Sequence, residues 1–112
     1  MNTVHLTDTE KKVVGELKHA LGEMLGERLI SITLFGSRTR GDYDADSDID
    51  IAVIVKDLTR EVKNQILERV ADIEFDFVVP LSVLVFSEQD FNHLKKRERK
   101  IAIEITNEGI PL

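Results

Sequence analysis

The stretch GSRTRGDYDADSDIDIAV, residues 36–53, decides how this 112-residue chain folds. It runs into a segment, Asp48–Val55, in which every second residue is Ile or Val. This alternation predicts a β-strand, because successive side chains of a strand point to opposite faces. The β-branched side chains that require a core are Ile49, Ile51, Val53 and Val55. Asp48 and Asp50 share the opposite face.

These two aspartates form a candidate metal site. Along a strand, Asp48 and Asp50 have Cα atoms about 7 Å apart, so their carboxylates can converge. Two carboxylates ~4 Å apart repel by about 4 kcal/mol at an effective dielectric constant near 20, and a divalent cation between them offsets this repulsion. Oxygen ligands without His or Cys nearby favour Mg²⁺ or Mn²⁺. The alternative is that both aspartates lie in a solvated loop before the strand begins.

A third carboxylate is predicted from the segment Glu74–Val79, with the sequence EFDFVV. Read as a strand, this segment places its two phenylalanines on one face and both Glu74 and Asp76 on the other. If the strand lies beside Asp48–Val55, Asp76 joins the aspartate pair. The alternative is an edge strand whose polar face contacts water.

The residues before the aspartates predict a phosphate-binding turn. The apolar segment Leu29–Phe35 is read as a strand that ends at Gly36. A glycine after a strand permits close backbone approach, and successive amide groups there can hold a phosphate, to which the hydroxyl of Ser37 adds a donor. Arg38 and Arg40 are close enough in sequence to help neutralise a polyphosphate.

The remaining segments predict an α+β fold of one domain, residues 1–112. A first helix begins with the capping-box pair Thr7 and Glu10 and ends before Gly26. The later elements are a helix from Asp57 or Thr59 to about Ile73, a strand Leu81–Phe86 after Pro80, and a helical region from Ser87 to about Asn107 with a break near Arg97. This order predicts a small mixed β-sheet flanked by helices.

Composition excludes several classes of protein. The chain has no cysteine, which excludes disulfides, thiolate metal sites and cysteine nucleophiles. No apolar run approaches the ~18 residues of a membrane span, and residues 1–12 lack the apolar region of a signal peptide, so we expect a cytoplasmic protein. The net charge of −6 and the pI of about 5.0 argue against a protein whose main task is binding nucleic acid, because that task needs Lys and Arg.

Gly-Ser, ten further residues and then Asp-x-Asp resemble the signature of the polymerase-beta-like nucleotidyltransferase superfamily. The surrounding sequence and the short chain look most like its minimal nucleotidyltransferase (MNT) branch. The resemblance extends from the first helix to the segment containing Asp76. It implies a mixed sheet with flanking helices and ATP as the donor substrate, with two Mg²⁺ ions, or Mn²⁺, at the site. It assigns the triphosphate to Gly36 and Ser37 and the metal ions to Asp48 and Asp50.

A third carboxylate, implied by the same resemblance, and a nearby arginine complete the predicted site. Asp76 corresponds to the third catalytic and metal-binding carboxylate of the family, with Glu74 as the alternative. In an in-line displacement at the α-phosphorus, this carboxylate binds the metal ion nearest the nucleophile and accepts its proton. Arg38 is assigned to the nucleotide, where it would stabilise developing charge.

Minimal members of this family are typically encoded beside a helical HEPN-domain protein, for which they act as antitoxins. Some transfer AMP to a tyrosine of that toxin. The resemblance therefore implies a protein adenylyltransferase that forms a hetero-oligomer with a HEPN-type toxin. Little chain remains after one nucleotide-binding sheet, which favours an acceptor that brings its own surface. Two alternatives stay open: an antitoxin that neutralises its partner by occlusion, and a nucleotidyltransferase that modifies a small molecule.

Overall fold

A computed structural model describes residues 5–40 and 48–112 of the chain. Its elements are helix α1 (Asp8–Leu25), a 3₁₀ turn (Gly26–Arg28), strand β1 (Leu29–Phe35), the short helix α2 (Ser37–Arg40), strand β2 (Ile49–Val55), helix α3 (Arg60–Phe77), strand β3 (Leu81–Ser87), helix α4 (Glu88–Lys96), helix α5 (Lys100–Glu108) and the two-residue strand β4 (Ile110–Pro111). The predicted α+β class is confirmed. None of the helices in the described ranges is long and apolar enough to span a bilayer.

The four strands form one mixed sheet in the order β3-β2-β1-β4. Strand β2 pairs antiparallel with β1 and parallel with β3, and α3 supplies the crossover between the parallel strands. In this register Phe35 lies opposite Asp50, and Asp50 lies opposite Ser82. The carboxyl end of β1 therefore meets the amino ends of β2 and β3 at one end of the sheet.

One face of the sheet carries the main core beneath α1 and α3. The inward side chains of α1 recur every three or four residues, as an amphipathic helix requires; they are Val13, Val14, Leu17, Leu21 and Leu25. From α3 come Ile66, Val70 and Ile73. The alternate residues of β2 predicted for this core, Ile49, Ile51, Val53 and Val55, are fully buried. Burial of each such side chain stabilises the fold by about 1.5–3 kcal/mol compared with leaving it exposed to water.

A smaller apolar layer covers the other face of the sheet. Phe91 of α4 and Ala102 and Ile105 of α5 pack over Ala52 and Ile54 of β2. Strand β2 is therefore buried on both faces along most of its length, which is usual for a strand with a parallel neighbour and helices on both sides. Asp50 lies two residues before Ala52 on the same face but keeps partial exposure.

The predicted helix ends are confirmed where a side chain caps them. Thr7 accepts a hydrogen bond from the amide of Glu10, and the Glu10 carboxylate accepts one from the amide of Thr7, which completes the capping box. Ser87 caps α4 through the amide of Asp90. The expected break near Arg97 separates α4 from α5.

The prediction of a strand within Glu74–Val79 is wrong, because α3 continues through Phe77. The helical spacing of Ile66, Val70 and Ile73 extends four residues further to Phe77, which is 37% exposed. The local β propensity of an aromatic, β-branched segment does not decide here, and Glu74 on this last turn binds the amide of Leu81. The helix ends at Val78, whose φ of 54° and ψ of 43° are left-handed. The short strand β4 is an element that the sequence patterns do not predict.

Candidate active site

The candidate site lies where β1 ends and β2 begins. Gly36 follows the last residue of β1, Asp48 precedes β2, and Asp50 is the second residue of β2. Antiparallel pairing sets Phe35 opposite Asp50, which brings Gly36 to the second aspartate across fourteen residues of sequence. The sheet therefore joins the predicted phosphate-binding turn to the predicted metal-binding strand.

The backbone of Gly36 packs directly against the side chain of Asp50. Its φ is +80°, a conformation that glycine adopts without strain. A Cβ added at this position would overlap Oδ2 of Asp50 and lie 3.1 Å from its Cγ. Only glycine leaves this carboxylate in place, and its bare backbone leaves the space that a phosphate needs for close approach.

The next residues hold this turn in shape. Both the amide and the hydroxyl of Thr39 donate to the carbonyl of Gly36, at 3.1 Å and 2.7 Å. Ser37 begins α2 and is half-buried beside this turn. Residues 41–47 and the side chain of Arg40, which belong to the same predicted loop, lie outside the described residues.

The two predicted aspartates differ in exposure. Asp48 stands one residue before the strand and is exposed, whereas Asp50 lies within the strand and is half-buried. The alternative that both aspartates lie in a solvated loop before the strand therefore holds for Asp48 only. Two carboxylates at a phosphate-accessible backbone fit Mg²⁺, which proteins commonly hold through one or two carboxylates while substrate phosphates supply other ligands. Within residues 5–40 and 48–112, no three His, Cys, Asp or Glu side chains group together as metal ligands.

The structural argument for Asp76 as the third carboxylate fails with the predicted strand. Asp76 lies on the last turn of α3 and is exposed, and no strand carries it alongside β2. Glu74, the alternative, has a structural contact: its Oε2 accepts a hydrogen bond of 3.2 Å from the amide of Leu81. This bond ties the end of α3 to the start of β3.

Ser82 occupies the position that the third carboxylate was expected to fill. It lies opposite Asp50 in the parallel β2–β3 pair and is half-buried. Sequence reasoning missed Ser82 because it placed the segment Glu74–Val79 beside Asp48–Val55, whereas the strand that pairs with β2 is the one predicted at Leu81–Phe86. The helical spacing that reaches Phe77 would have removed the earlier segment from the sheet.

The side chain of Arg38 is directed towards the amino end of α1. It is 3% exposed, and its Nη1 donates to Oε1 of Glu10 at 2.7 Å and to the carbonyl of His5 at 3.2 Å. The structure therefore brings Arg38 to Glu10, where it links α2 to α1. Its predicted contact with the nucleotide stays a prediction.

This contact also changes the acidity of Glu10. Burial raises the pKa of the Glu10 carboxyl, but the hydrogen bonds from Arg38 and Thr7 and the charge of Arg38 together outweigh burial and hold the pKa below its usual value. Glu10 is therefore a carboxylate at neutral pH that completes the capping box and neutralises a buried guanidinium.

Comparison with known proteins identifies the family. The family model described as polymerase beta nucleotidyltransferase matches residues 17–112, and the chain belongs to this family. It is a nucleotidyltransferase domain, as the resemblance implied. Members of the family generally use a nucleoside triphosphate and a divalent metal ion.

Two relatives from Methanocaldococcus jannaschii both carry the name "putative protein adenylyltransferase". One is 29% identical over 76 residues, covering 67% of this chain and 77% of the relative. The other is 36% identical over 72 residues, covering 64% of this chain and 56% of the relative. The matched segment thus spans little more than half of the second relative's length.

A solved structure shares the fold. The crystal structure of a "putative nucleotidyltransferase" from Sulfolobus solfataricus superposes with a TM-score of 0.51 at 22% sequence identity, covering 92% of this chain and 75% of that one. At this identity the likeness concerns the fold alone. It agrees with the four-stranded mixed sheet and flanking helices described above.

Proposed function

We propose that this protein transfers AMP from Mg-ATP to a tyrosine of a HEPN-type toxin and thereby acts as its antitoxin. The observation that carries this proposal is the packing of Gly36 against Asp50, beside Asp48, at one end of the sheet. This packing joins a phosphate-accessible backbone to the two carboxylates predicted to hold a metal ion. The names of the two archaeal relatives support a protein as the acceptor.

The residues of this site suit transfer at the α-phosphorus of ATP. Asp48 and Asp50 would hold Mg²⁺, which when bound neutralises charge on the triphosphate. Gly36 and Ser37 present backbone amides and a hydroxyl to the leaving pyrophosphate. A bond forms between the tyrosine oxygen and the α-phosphorus as the hydroxyl proton passes to solvent, and the bond from that phosphorus to the pyrophosphate oxygen breaks, so that pyrophosphate leaves. The close packing of Gly36 determines the position of the Asp50 carboxylate relative to the α-phosphorus and the leaving pyrophosphate.

The arrangement of the described elements also supports a macromolecular acceptor. The described helices and strands are engaged in one sheet and its two covering layers, and none forms a separate acceptor-binding domain. A HEPN-domain partner would bring its own tyrosine and its own docking surface, so we propose a hetero-oligomer in the cytoplasm.

One observation favours a second candidate, an antitoxin that acts by occlusion. The register position beside Asp50 holds Ser82, and Asp76, which the family resemblance implied as the third carboxylate, lies on exposed helix surface. With two carboxylates instead of three, binding of the partner could neutralise it without chemistry. This candidate predicts that neutralisation survives loss of both aspartates.

Intact-mass spectrometry distinguishes these candidates. The protein is mixed with the HEPN-domain protein encoded beside it, Mg²⁺ and each nucleoside triphosphate in turn. We expect the partner's mass to rise by one or more AMP groups with ATP only. The Asp48→Asn/Asp50→Asn variant should give no adduct. The matched control Asp57→Asn/Asp72→Asn removes the same charges at exposed positions away from the site and should retain transfer.

The remaining outcomes each decide between the alternatives. A stable complex without an adduct, and neutralisation by the double aspartate variant, would support occlusion and contradict the enzymatic proposal. Turnover of nucleotide onto a small-molecule hydroxyl without any partner protein would replace the protein acceptor with a small one. An adduct that persists in the double aspartate variant would contradict the assignment of the site.

A further inference from the structure

Strand β3 is the outer strand of the sheet formed by the described residues. Its sequence, LSVLVFS, has seven residues, no charge and no proline. Proteins commonly protect an exposed edge with lysine, proline, a bulge or a very short strand, because unpaired backbone groups recruit other strands. None of these protections occurs within Leu81–Ser87, and the central side chain, Leu84, is itself exposed. This edge has the composition of a strand that pairs with another strand.

An apolar stripe on α3 accompanies this edge. Leu67, Ala71 and Phe75 recur every four residues, and Val78 follows at the helix end. Leu67 is 39% exposed, Phe75 85% and Val78 86%. Apolar side chains grouped on a surface in this way mark interaction sites more often than scattered ones do. Val78 also adopts a left-handed conformation that is unfavourable for a β-branched residue.

The contacts of α3 place this stripe beside the β3 edge. Arg60, Leu67 and Glu74 are seven residues apart and therefore share one face of the helix. Glu74 binds the amide of Leu81 at the start of β3. At the other end, Arg60 lines one surface cavity together with Ser87, the last residue of β3. Helix and strand thus run antiparallel, side by side.

This arrangement is self-complementary about a single axis. Antiparallel pairing of β3 with a second β3, centred on Leu84, sets Leu81 opposite Ser87. Glu74 lies beside Leu81, and Arg60 lies beside Ser87. The same two-fold axis therefore passes near Leu67, which is midway between Arg60 and Glu74 in sequence. Each Arg60 then faces Glu74 of the other copy, and the apolar side chains meet at the centre. A two-fold interface requires such matching of a surface with itself.

We propose that the edge of β3 and the adjacent face of α3 form a homodimer interface that joins two sheets into one of eight strands. The occupant is a second copy of this chain, because the edge is uncharged and the helix face is basic at one end, apolar in the middle and acidic at the other. The two candidate active sites then lie at opposite ends of the joined strands, about 20 Å apart, and each remains accessible.

The position of the axis gives a direct test by charge pairing. In separate variants, Leu67→Lys and Leu67→Glu place two like charges beside each other across the axis. Each variant alone should dimerise at least tenfold more weakly than the wild-type chain. An equimolar mixture of the two should restore dimers that contain one copy of each, because lysine then faces glutamate. Analytical ultracentrifugation gives the dissociation constants, and native mass spectrometry identifies the mixed dimer.

Controls keep folding and surface charge separate from the interface. Ile103, on α5, is exposed to a similar extent as Leu67, at 42% against 39%. Ile103→Lys and Ile103→Glu should therefore leave the dimer unchanged, and circular dichroism should show all four variants folded. A second variant, Leu84→Lys, tests the strand half of the interface and should also weaken the dimer.

The following results would overturn the proposal. A wild-type chain that sediments at its monomer mass of 12.7 kDa at 100 µM excludes the homodimer, whether or not AMP transfer is observed. Dimers that persist in both Leu67 variants place the interface elsewhere. A monomeric chain that uses this face to bind the HEPN-domain protein, with binding lost in Leu67→Glu, assigns the surface to that partner instead.

Discussion

The contact between Gly36 and Asp50 makes a quantitative prediction for Gly36→Ala. An alanine at φ +80° costs about 1–2 kcal/mol of backbone strain. The new methyl group would also overlap Oδ2 of Asp50, and overpacking of this kind costs about 1–3 kcal/mol. We expect a total loss of about 2–5 kcal/mol in the free energy of unfolding. Small domains have a free energy of unfolding of about 5–15 kcal/mol, so the variant remains folded if the wild-type value lies in the upper part of this range.

The activity of Gly36→Ala should fall more than its stability suggests. To relieve the overlap, the Asp50 carboxylate must move away from the turn, and a displacement of about 1 Å in a catalytic group can cost about 10²-fold in rate. We therefore expect folded Gly36→Ala to lose about two orders of magnitude in AMP transfer under the mass-spectrometric assay. Urea unfolding followed by circular dichroism measures the stability in parallel.

A double-mutant cycle with Asp50→Ala isolates the contact. Asp50→Ala removes Cγ and both oxygens, so Gly36→Ala in that background should lose stability through backbone strain alone. The coupling free energy between the two substitutions should then be about 1–3 kcal/mol. Gly22→Ala, on α1 with no heavy atom near an added Cβ, serves as the control and should stabilise by about 0.5–1 kcal/mol. A coupling below about 0.5 kcal/mol would refute the close approach of Gly36 to Asp50.

Two further predictions concern charged groups. Because the pKa of Glu10 is lowered in the folded protein, its carboxylate stabilises the fold above the unfolded-state pKa, and this stabilisation is lost as the pH falls through the lowered value. Glu10→Gln should therefore lower the free energy of unfolding by about 2 kcal/mol at pH 7 and by much less under acid conditions. Urea unfolding across a range of pH measures this difference. A difference that does not change with pH would contradict the Arg38–Glu10 contact. Ser82→Asp places a carboxylate beside Asp50 and should raise Mn²⁺ affinity about tenfold, equivalent to about 1.4 kcal/mol, whereas Asp76→Asn, on exposed helix surface, should leave it unchanged. Calorimetric titration measures both affinities, and the reverse pattern would restore Asp76 as the third ligand.

The sequence alone determined the elements whose signals are local. The capping box at Thr7 and Glu10, the strands Leu29–Phe35 and Leu81–Phe86, and the alternation that buries Ile49 through Val55 are all predicted by sequence patterns and are all present. These features depend on residues within one or two turns of each other, so neighbouring residues suffice to specify them. The motif that joins Gly36 to the aspartates is equally local, and its residue types and spacing are sufficient to indicate the family.

Where a local sequence signal was ambiguous, the tertiary structure determined which secondary structure formed. Phe75–Val79 has the composition of a strand, yet its first three residues complete α3, which ends at Val78 and is tied to the start of β3 by the bond between Glu74 and the amide of Leu81. That single change moved Asp76 to a helix surface and brought Ser82 beside Asp50. A register between two strands depends on how the connecting helix packs, which no spacing within the strand reveals.

The tertiary structure alone also determined the long-range contacts of the site. Arg38 meets Glu10 across 28 residues and is buried there, although its place in the motif suggested a phosphate ligand. Gly36 meets Asp50 because β1 and β2 pair antiparallel. Residue types and spacing show which chemistry a chain can support, whereas the packing of strands and helices determines which of those groups meet, because their partners lie far apart in sequence.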